Sequence, residues 1–167
     1  MYKLYLKQQV WSLRDKFAVL NERDQPVYQV VGSVFQIAKH FDILDRNKRI
    51  VGSVTKKPLT WQPTFSLEIG SQQVATIQKR FTFFSSRYEL SAVGLAVTGD
   101  VWDMNFEVAR QGQVSGRVAK RWFTVGDKYE ITIINEADEL LLVGLVIAIA
   151  YVKQMQAGAA AANASRY

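Results

Sequence analysis

Leu140 to Val152 reads LLLVGLVIAIAYV, thirteen residues whose only polar side-chain group is the Tyr151 hydroxyl. Asp138 and Glu139 precede the run and Lys153 follows it. A helix that crosses a bilayer needs about 20 apolar residues, and this stretch falls short. A helix built from it is apolar on every side and must be buried on every side, so it belongs at the centre of a core. Ahead of it, Asn135-Glu136-Ala137-Asp138-Glu139 supplies a capping-type residue and three acids, which favour a helix N-terminus. The pattern predicts one helix over about Asp138 to Gln156, closing a single domain of residues 1–156. The remaining AGAAAANASRY, residues 157–167, is low in complexity and reads as a flexible tail.

Outward from the helix, the chain from Tyr2 to about Asn135 shows a period of two, in short segments rich in Val, Ile, Phe, Tyr and Thr. Strands are predicted at Tyr2–Lys7, Lys16–Leu20, Pro26–Val31, Val34–Ile37, Phe41–Leu44, Ile50–Lys56, Thr64–Ile69, Val74–Lys79, Tyr88–Ser91, Asp103–Arg110, Val114–Lys120 and Lys128–Ile134. Short polar connectors at 21–25, 45–48, 70–73 and 111–113 make neighbouring strands antiparallel. The opening MYKLYLKQQVWSLRDKF alternates apolar and polar residues and is not expected to be a signal peptide.

An internal repeat sharpens this. Residues 65–90 and 106–131 align without a gap at an offset of 41, and a weaker third copy lies at an offset of 23. In each, a strand carrying a small residue (Gly52, Ala75, Gly116) and a β-branched one (Val54, Ile77, Val118) ends in a basic pair. An aromatic-containing loop then leads to the next strand. A sheet of about twelve strands either exposes two edges or closes, and a closed sheet of that size has room for a helix. The expected fold is mainly β: a closed antiparallel barrel of about 12 strands around a central hydrophobic C-terminal helix.

Composition narrows the chemistry. The chain has no Cys, which removes disulfides, thiolate metal sites and catalytic thiols, and a single His, His40, which leaves most catalytic templates without parts. Neither an enzyme nor a metal or other cofactor is expected. A net charge of +6 suits an anionic surface.

The segments Lys79-Arg80 to Tyr88-Glu89-Leu90 and Lys120-Arg121-Trp122-Phe123-Thr124-Val125-Gly126-Asp127-Lys128-Tyr129, with the acid-led helix Asp138 to Val152, resemble the LURP-one-related (YxjI-like) family of the tubby C-terminal-like superfamily. The resemblance spans Tyr2 to about Met155 and implies a twelve-stranded barrel around a hydrophobic C-terminal helix. The superfamily includes phosphoinositide-binding tubby-like proteins, phospholipid scramblases and plant defence-associated proteins. Residues 1–167 hold no Cys cluster for palmitoylation and no membrane-spanning stretch, so calcium-driven lipid scrambling is not expected.

The candidate ligand-binding residues are the repeated basic pairs Lys56-Lys57, Lys79-Arg80 and Lys120-Arg121, which would bind phosphate groups if they cluster. Their competing role is solubility and edge protection, since only one member of each pair can point a given way. The aromatics Trp61, Phe81, Phe83, Phe84, Trp122 and Phe123 read as core and loop packing rather than as an interfacial belt or base-stacking platform. Asp42, Asp45 and Asn47 lack the spacing of a calcium loop and mark a hairpin turn at 45–48. The stretch GLAVTG, 94–99, reads as a strand or bend rather than a phosphate loop, Glu89 and Glu130 as structural twins, and His40 as a polar residue at a turn. A cytoplasmic protein is expected, peripheral to the inner membrane face, with an anionic phospholipid headgroup as its partner. The alternative is a protein-interaction scaffold with no lipid ligand; nucleic acid is not an expected partner.

Overall fold

The computed structural model describes residues 1–8, 15–32, 40–62, 64–81, 86–92, 94–121 and 128–164. Twelve strands form one sheet: β1 (Tyr2–Gln8), β2 (Asp15–Asn21), β3 (Pro26–Gly32), β4 (His40–Leu44), β5 (Ile50–Lys56), β6 (Thr64–Ile69), β7 (Gln72–Phe81), β8 (Ser86–Ala92), β9 (Leu95–Asp100), β10 (Asn105–Arg110), β11 (Gln113–Arg121) and β12 (Lys128–Ile133). A short 3-10 turn, Glu136–Asp138, leads into the helix α1, Glu139–Ala164. The sheet order is β8-β7-β6-β5-β4-β3-β2-β1-β12-β11-β10-β9, with every neighbouring pair antiparallel. The first and last strands meet through the Tyr2↔Ile133 to Lys7↔Lys128 register.

The repeat read from the sequence is a repeat of geometry. In the β6–β7 hairpin Phe65 faces Ile77, Leu67 faces Ala75, and the register shifts after Leu67. Forty-one residues on, in β10–β11, Phe106 faces Val118, Val108 faces Gly116, and the register shifts after Val108. The third copy, β4–β5, sets Phe41 against Val54 and Ile43 against Gly52, with its shift after Ile43. The three aromatics Phe41, Phe65 and Phe106 all point inward and are buried. The bulges bend each hairpin at the same point and so curve the sheet.

That curvature encloses the helix. Every residue from Leu141 to Val152 is buried, together with the inward side chains of Leu4, Leu6, Val19, Val30, Ile43, Val54, Leu67, Val108, Val118, Ile131 and Ile133. The small residues mark the closest approaches. A Cβ on Gly116 would stand 2.5 Å from a Leu142 methyl, and one on Gly144 would stand 2.6 Å from a Leu67 methyl. At its start, the Asn135 side chain accepts a bond from the Ala137 amide, as the capping pattern predicts.

Two expectations change. The hydrogen-bonded ladder is not closed: among the described residues no pairing joins β8 to β9, so the sheet keeps two edges. Closure is one way to protect an edge; β9 uses another, being six residues long, with Gly99 at φ 106 and Asp100 at its end. Leu95–Asp100 is itself a strand where the sequence allows a strand or a bend, while the expected strand Val34–Ile37 lies outside the described residues. The helix starts one residue later than expected and runs on to Ala164, past Gln156, because the Ala-rich segment has the highest helix propensity available. Among the described residues no helix is long and apolar enough to cross a membrane.

Candidate functional site

Because all neighbours are antiparallel, odd-numbered strands run one way and even-numbered strands the other. The sheet therefore has two ends. At one, the connections are 22–25, 45–49, 70–71, 93–94, 111–112 and the link to the helix; at the other they are 9–14, 33–39, 57–63, 82–85, 101–104 and 122–127. Lys56 ends β5, Lys79 and Arg80 stand near the end of β7, and Lys120 and Arg121 end β11. All three are odd strands, so the three basic pairs share one end, with Lys7 near the end of β1 and Lys128 opening β12 beside them. Only β6 separates the first two pairs, placing them about 10 Å apart. The third lies on the other side of the helix.

The side chains divide this set. Arg121 is committed: its Nε and Nη2 donate to Glu130 at 3.2 and 3.0 Å, and Lys3 reaches the same carboxylate at 3.1 Å. The Arg121 hydrogen bonds, aided by Lys3, hold the Glu130 carboxyl below its ordinary range against the effect of its burial. Lys7 donates to Asp24 at 2.8 Å. Burial, and then the Lys7 ammonium directly opposite in register, lower the Lys128 pKa, a sign of cations crowded at this end. Lys56 and Lys57 have no acidic partner among the described residues. The side chains of Lys79 and Arg80 lie outside the described residues, and Lys120 is half-buried.

The aromatics divide as well. Trp61 is 97% exposed and neighbouring Leu59 fully so, which overturns core packing for Trp61. The reason is placement: Trp61 sits in the β5–β6 connection, beyond the inner face that buries Phe65. Phe83, Phe84, Trp122 and Phe123 lie outside the described residues, as does the Phe81 side chain. Trp102, in the β9–β10 connection, is half-buried beneath Lys153, whose Nζ donates to the Trp102 carbonyl at 2.7 Å and stands 5.9 Å from its ring centroid.

The opposite end is built of tight polar turns. Asp45 accepts from the Asn47 and Arg49 amides at 2.8 and 2.9 Å, so Asp45 serves a hairpin turn. Asp138, almost fully buried, accepts from Arg110 Nη2 at 2.7 Å, Ser115 Oγ at 2.7 Å and Asn135 Nδ2 at 3.2 Å. The Arg110 hydrogen bonds, with help from Ser115, hold its carboxyl below the usual range although burial opposes them. In the sequence Asp138 reads only as a helix-start acid; its partners Arg110 and Ser115, on β10 and β11, carry no local signal. Next to it, Glu139 accepts from the Tyr2 and Tyr28 hydroxyls inside the sheet, and burial raises its pKa. Two cavities open at this end. One of about 320 Å³ is bounded by the Arg110–Asp138 pair with Gln73, Val74 and Leu140, and one of about 250 Å³ by Pro26, Val27, Asp45 and Arg46. His40 opens β4, with its ring nitrogens 2.7 Å from Thr55 Oγ1 and 2.8 Å from Asp42 Oδ1. Among the described residues no group of three His, Asp or Glu side chains could hold a metal ion.

The family model described as LURP-one-related matches residues 2–150, the whole sheet and most of the buried part of the helix. The chain belongs to the LURP-one-related family. A relative from Bacillus subtilis (strain 168), described as uncharacterized protein YxjI, is 26% identical over 147 residues, 88% of this chain and 91% of that one. Among solved structures, an Arabidopsis thaliana protein aligns with a TM-score of 0.56 at 11% identity, over 88% of this chain and 90% of the other. That likeness speaks for the fold. The LURP-one-related assignment covers both ends of the sheet.

Proposed function

We propose that this LURP-one-related chain is a non-enzymatic binding module that meets anionic phospholipid headgroups with the basic end of its sheet, peripheral to the inner face of the cell membrane. One observation carries the reading: the three basic pairs end strands of one direction and so gather at one end, where Lys56 and Lys57 lack acidic partners among the described residues. Basic residues near an anionic leaflet contribute on the order of 1 kcal/mol each, so a handful suffices for reversible docking. The buried helix fills the interior, and the cavities of about 320 and 250 Å³ found among the described residues lie at the other end. In this reading the β8 and β9 edges, which no ladder joins among the described residues, are the seam of a barrel.

A protein partner is the second reading; the unpaired edge of β9, with exposed Ala96 and Thr98, favours it. Sedimentation of the purified protein with neutral and anionic vesicles at low and at about 0.5 M salt separates the two. The lipid reading expects retention on anionic vesicles alone, released by salt. Absence of retention at low salt rejects it.

A further inference from the structure

The β5–β6 connection, Lys57-Pro58-Leu59-Thr60-Trp61-Gln62-Pro63, combines three features that fold stability does not require. It contains no acid and is led in by Lys56. Leu59 and Trp61 are the two most exposed large apolar side chains among the described residues. Leu59 also holds a φ of 55, following Pro58 in a turn whose left-handed slot ordinarily goes to Gly or Asn. The loop is not slack. The Lys57 amide donates to the Thr64 carbonyl at 2.8 Å, Thr60 Oγ1 to the Lys57 carbonyl at 3.4 Å, and Thr64 Oγ1 to the Gln62 carbonyl at 2.9 Å. A backbone held in an unfavourable conformation so as to present Leu and Trp to solvent is the kind of strain that accompanies a binding role.

We propose that Leu59 and Trp61 form an insertion tip that enters the interfacial layer of an anionic bilayer while Lys56 and Lys57 meet the headgroup phosphates. The inference rests on the lipid reading of the basic end and adds the element that grips the membrane. Charge complementarity selects a bilayer: two cations without acidic partners among the described residues immediately precede the apolar pair, and the neighbouring basic pair of β7 ends at the same level. Tryptophan favours the headgroup boundary and leucine the acyl region beneath it, while lysines stay among the phosphates. A purely apolar protein groove would satisfy the apolar pair and leave the lysines unanswered.

The test compares wild type, Leu59→Gly, Trp61→Ala and Trp61→Phe on phosphatidylcholine vesicles with and without phosphatidylglycerol. Leu59→Gly places glycine where φ is positive, so its thermal midpoint is expected to equal or exceed that of wild type. Trp61→Ala removes a side chain that touches solvent and should also fold. Both variants are expected to bind phosphatidylglycerol vesicles about tenfold more weakly. Acyl-brominated lipid should quench a fluorescence component of wild type that Trp61→Phe lacks. Wild-type retention with unchanged affinity in both folded variants would overturn the insertion tip and leave headgroup binding standing. Failure of wild type to bind at low salt would overturn both.

Discussion

The two ends of this sheet are made from the same strands and behave as different materials. At the helix-start end the connections are short, and charge is turned inward: Asp138 is held by Arg110, Ser115 and Asn135, and Glu139 by two tyrosine hydroxyls. At the other end the connections are longer, basic residues gather, Lys56 and Lys57 have no acidic partner among the described residues, and Leu59 and Trp61 face solvent. The first end fixes the helix inside the sheet, with Arg46, Arg49 and Ile50 exposed on its turns; the second sets Lys56 and Lys57 beside Leu59 and Trp61, the two most exposed large apolar side chains among the described residues. The difference teaches where to look for a ligand. Tight satisfaction marks structure, and unsatisfied cations beside exposed apolar groups mark encounter.

The largest effect is expected at the structural end. Asp138→Ala strips three donors of their acceptor, and because Arg110 is partly exposed and can return to water, the cost should be about 2 kcal/mol in urea denaturation at neutral pH. The pH dependence fixes the sign. The Asp138 pKa is lowered on folding, so its stabilisation is present above the unfolded value near 3.9 and is lost as pH falls through the lower folded value. The Asp138→Ala penalty should accordingly shrink in acid.

Glu139 behaves the opposite way. Burial raises its pKa, so its favourable contribution is present below the unfolded value near 4.3 and is lost as pH rises through the folded one. Glu139→Gln should raise stability at pH 7 by on the order of 1 kcal/mol and change nothing well below pH 4, which chemical denaturation at the two pH values checks. Equal effects at both would mean that the tyrosine hydrogen bonds fully offset the burial of the charge.

Tyr151 lies at the far end of the buried helix, packed edge-on to Phe41 and Phe65 at 4.2 and 5.8 Å between ring centroids. Its hydroxyl is buried without a hydrogen-bond partner among the described residues, and burial pushes its pKa up to about 12. Removing that hydroxyl in Tyr151→Phe should stabilise the protein by about 1 kcal/mol, read as a rise in the thermal midpoint. A loss of stability would mean that the hydroxyl has a partner in solution.

Legibility in the sequence follows the range of the forces. The buried helix and the repeat are written in local periodicity, and the offset of 41 reproduces even the register shifts at Leu67 and Val108. The strand β9 is faint because Leu95-Ala96-Val97-Thr98-Gly99-Asp100 mixes small residues with a glycine. The gathering of the basic pairs follows from strand parity, but which of them stay free does not. Capture of Arg121 by Glu130 depends on the register of β11 against β12, and capture of Asp138 by Arg110 bridges 28 residues. Trp61 reads as core because its type belongs in cores; only the place of its connection beyond the sheet explains its exposure.

The most direct measurement sets end against end at equal charge. Lys56→Ser/Lys57→Ser at the basic end and Arg46→Ser/Arg49→Ser at the opposite end each remove two cations, all four exposed or half-buried. Both pairs should leave the thermal midpoint close to that of wild type. On anionic vesicles at low salt, the account predicts that the first pair lowers retention sharply and the second leaves it near wild type. Equal losses from the two pairs would show that net charge, and not the basic end, governs binding.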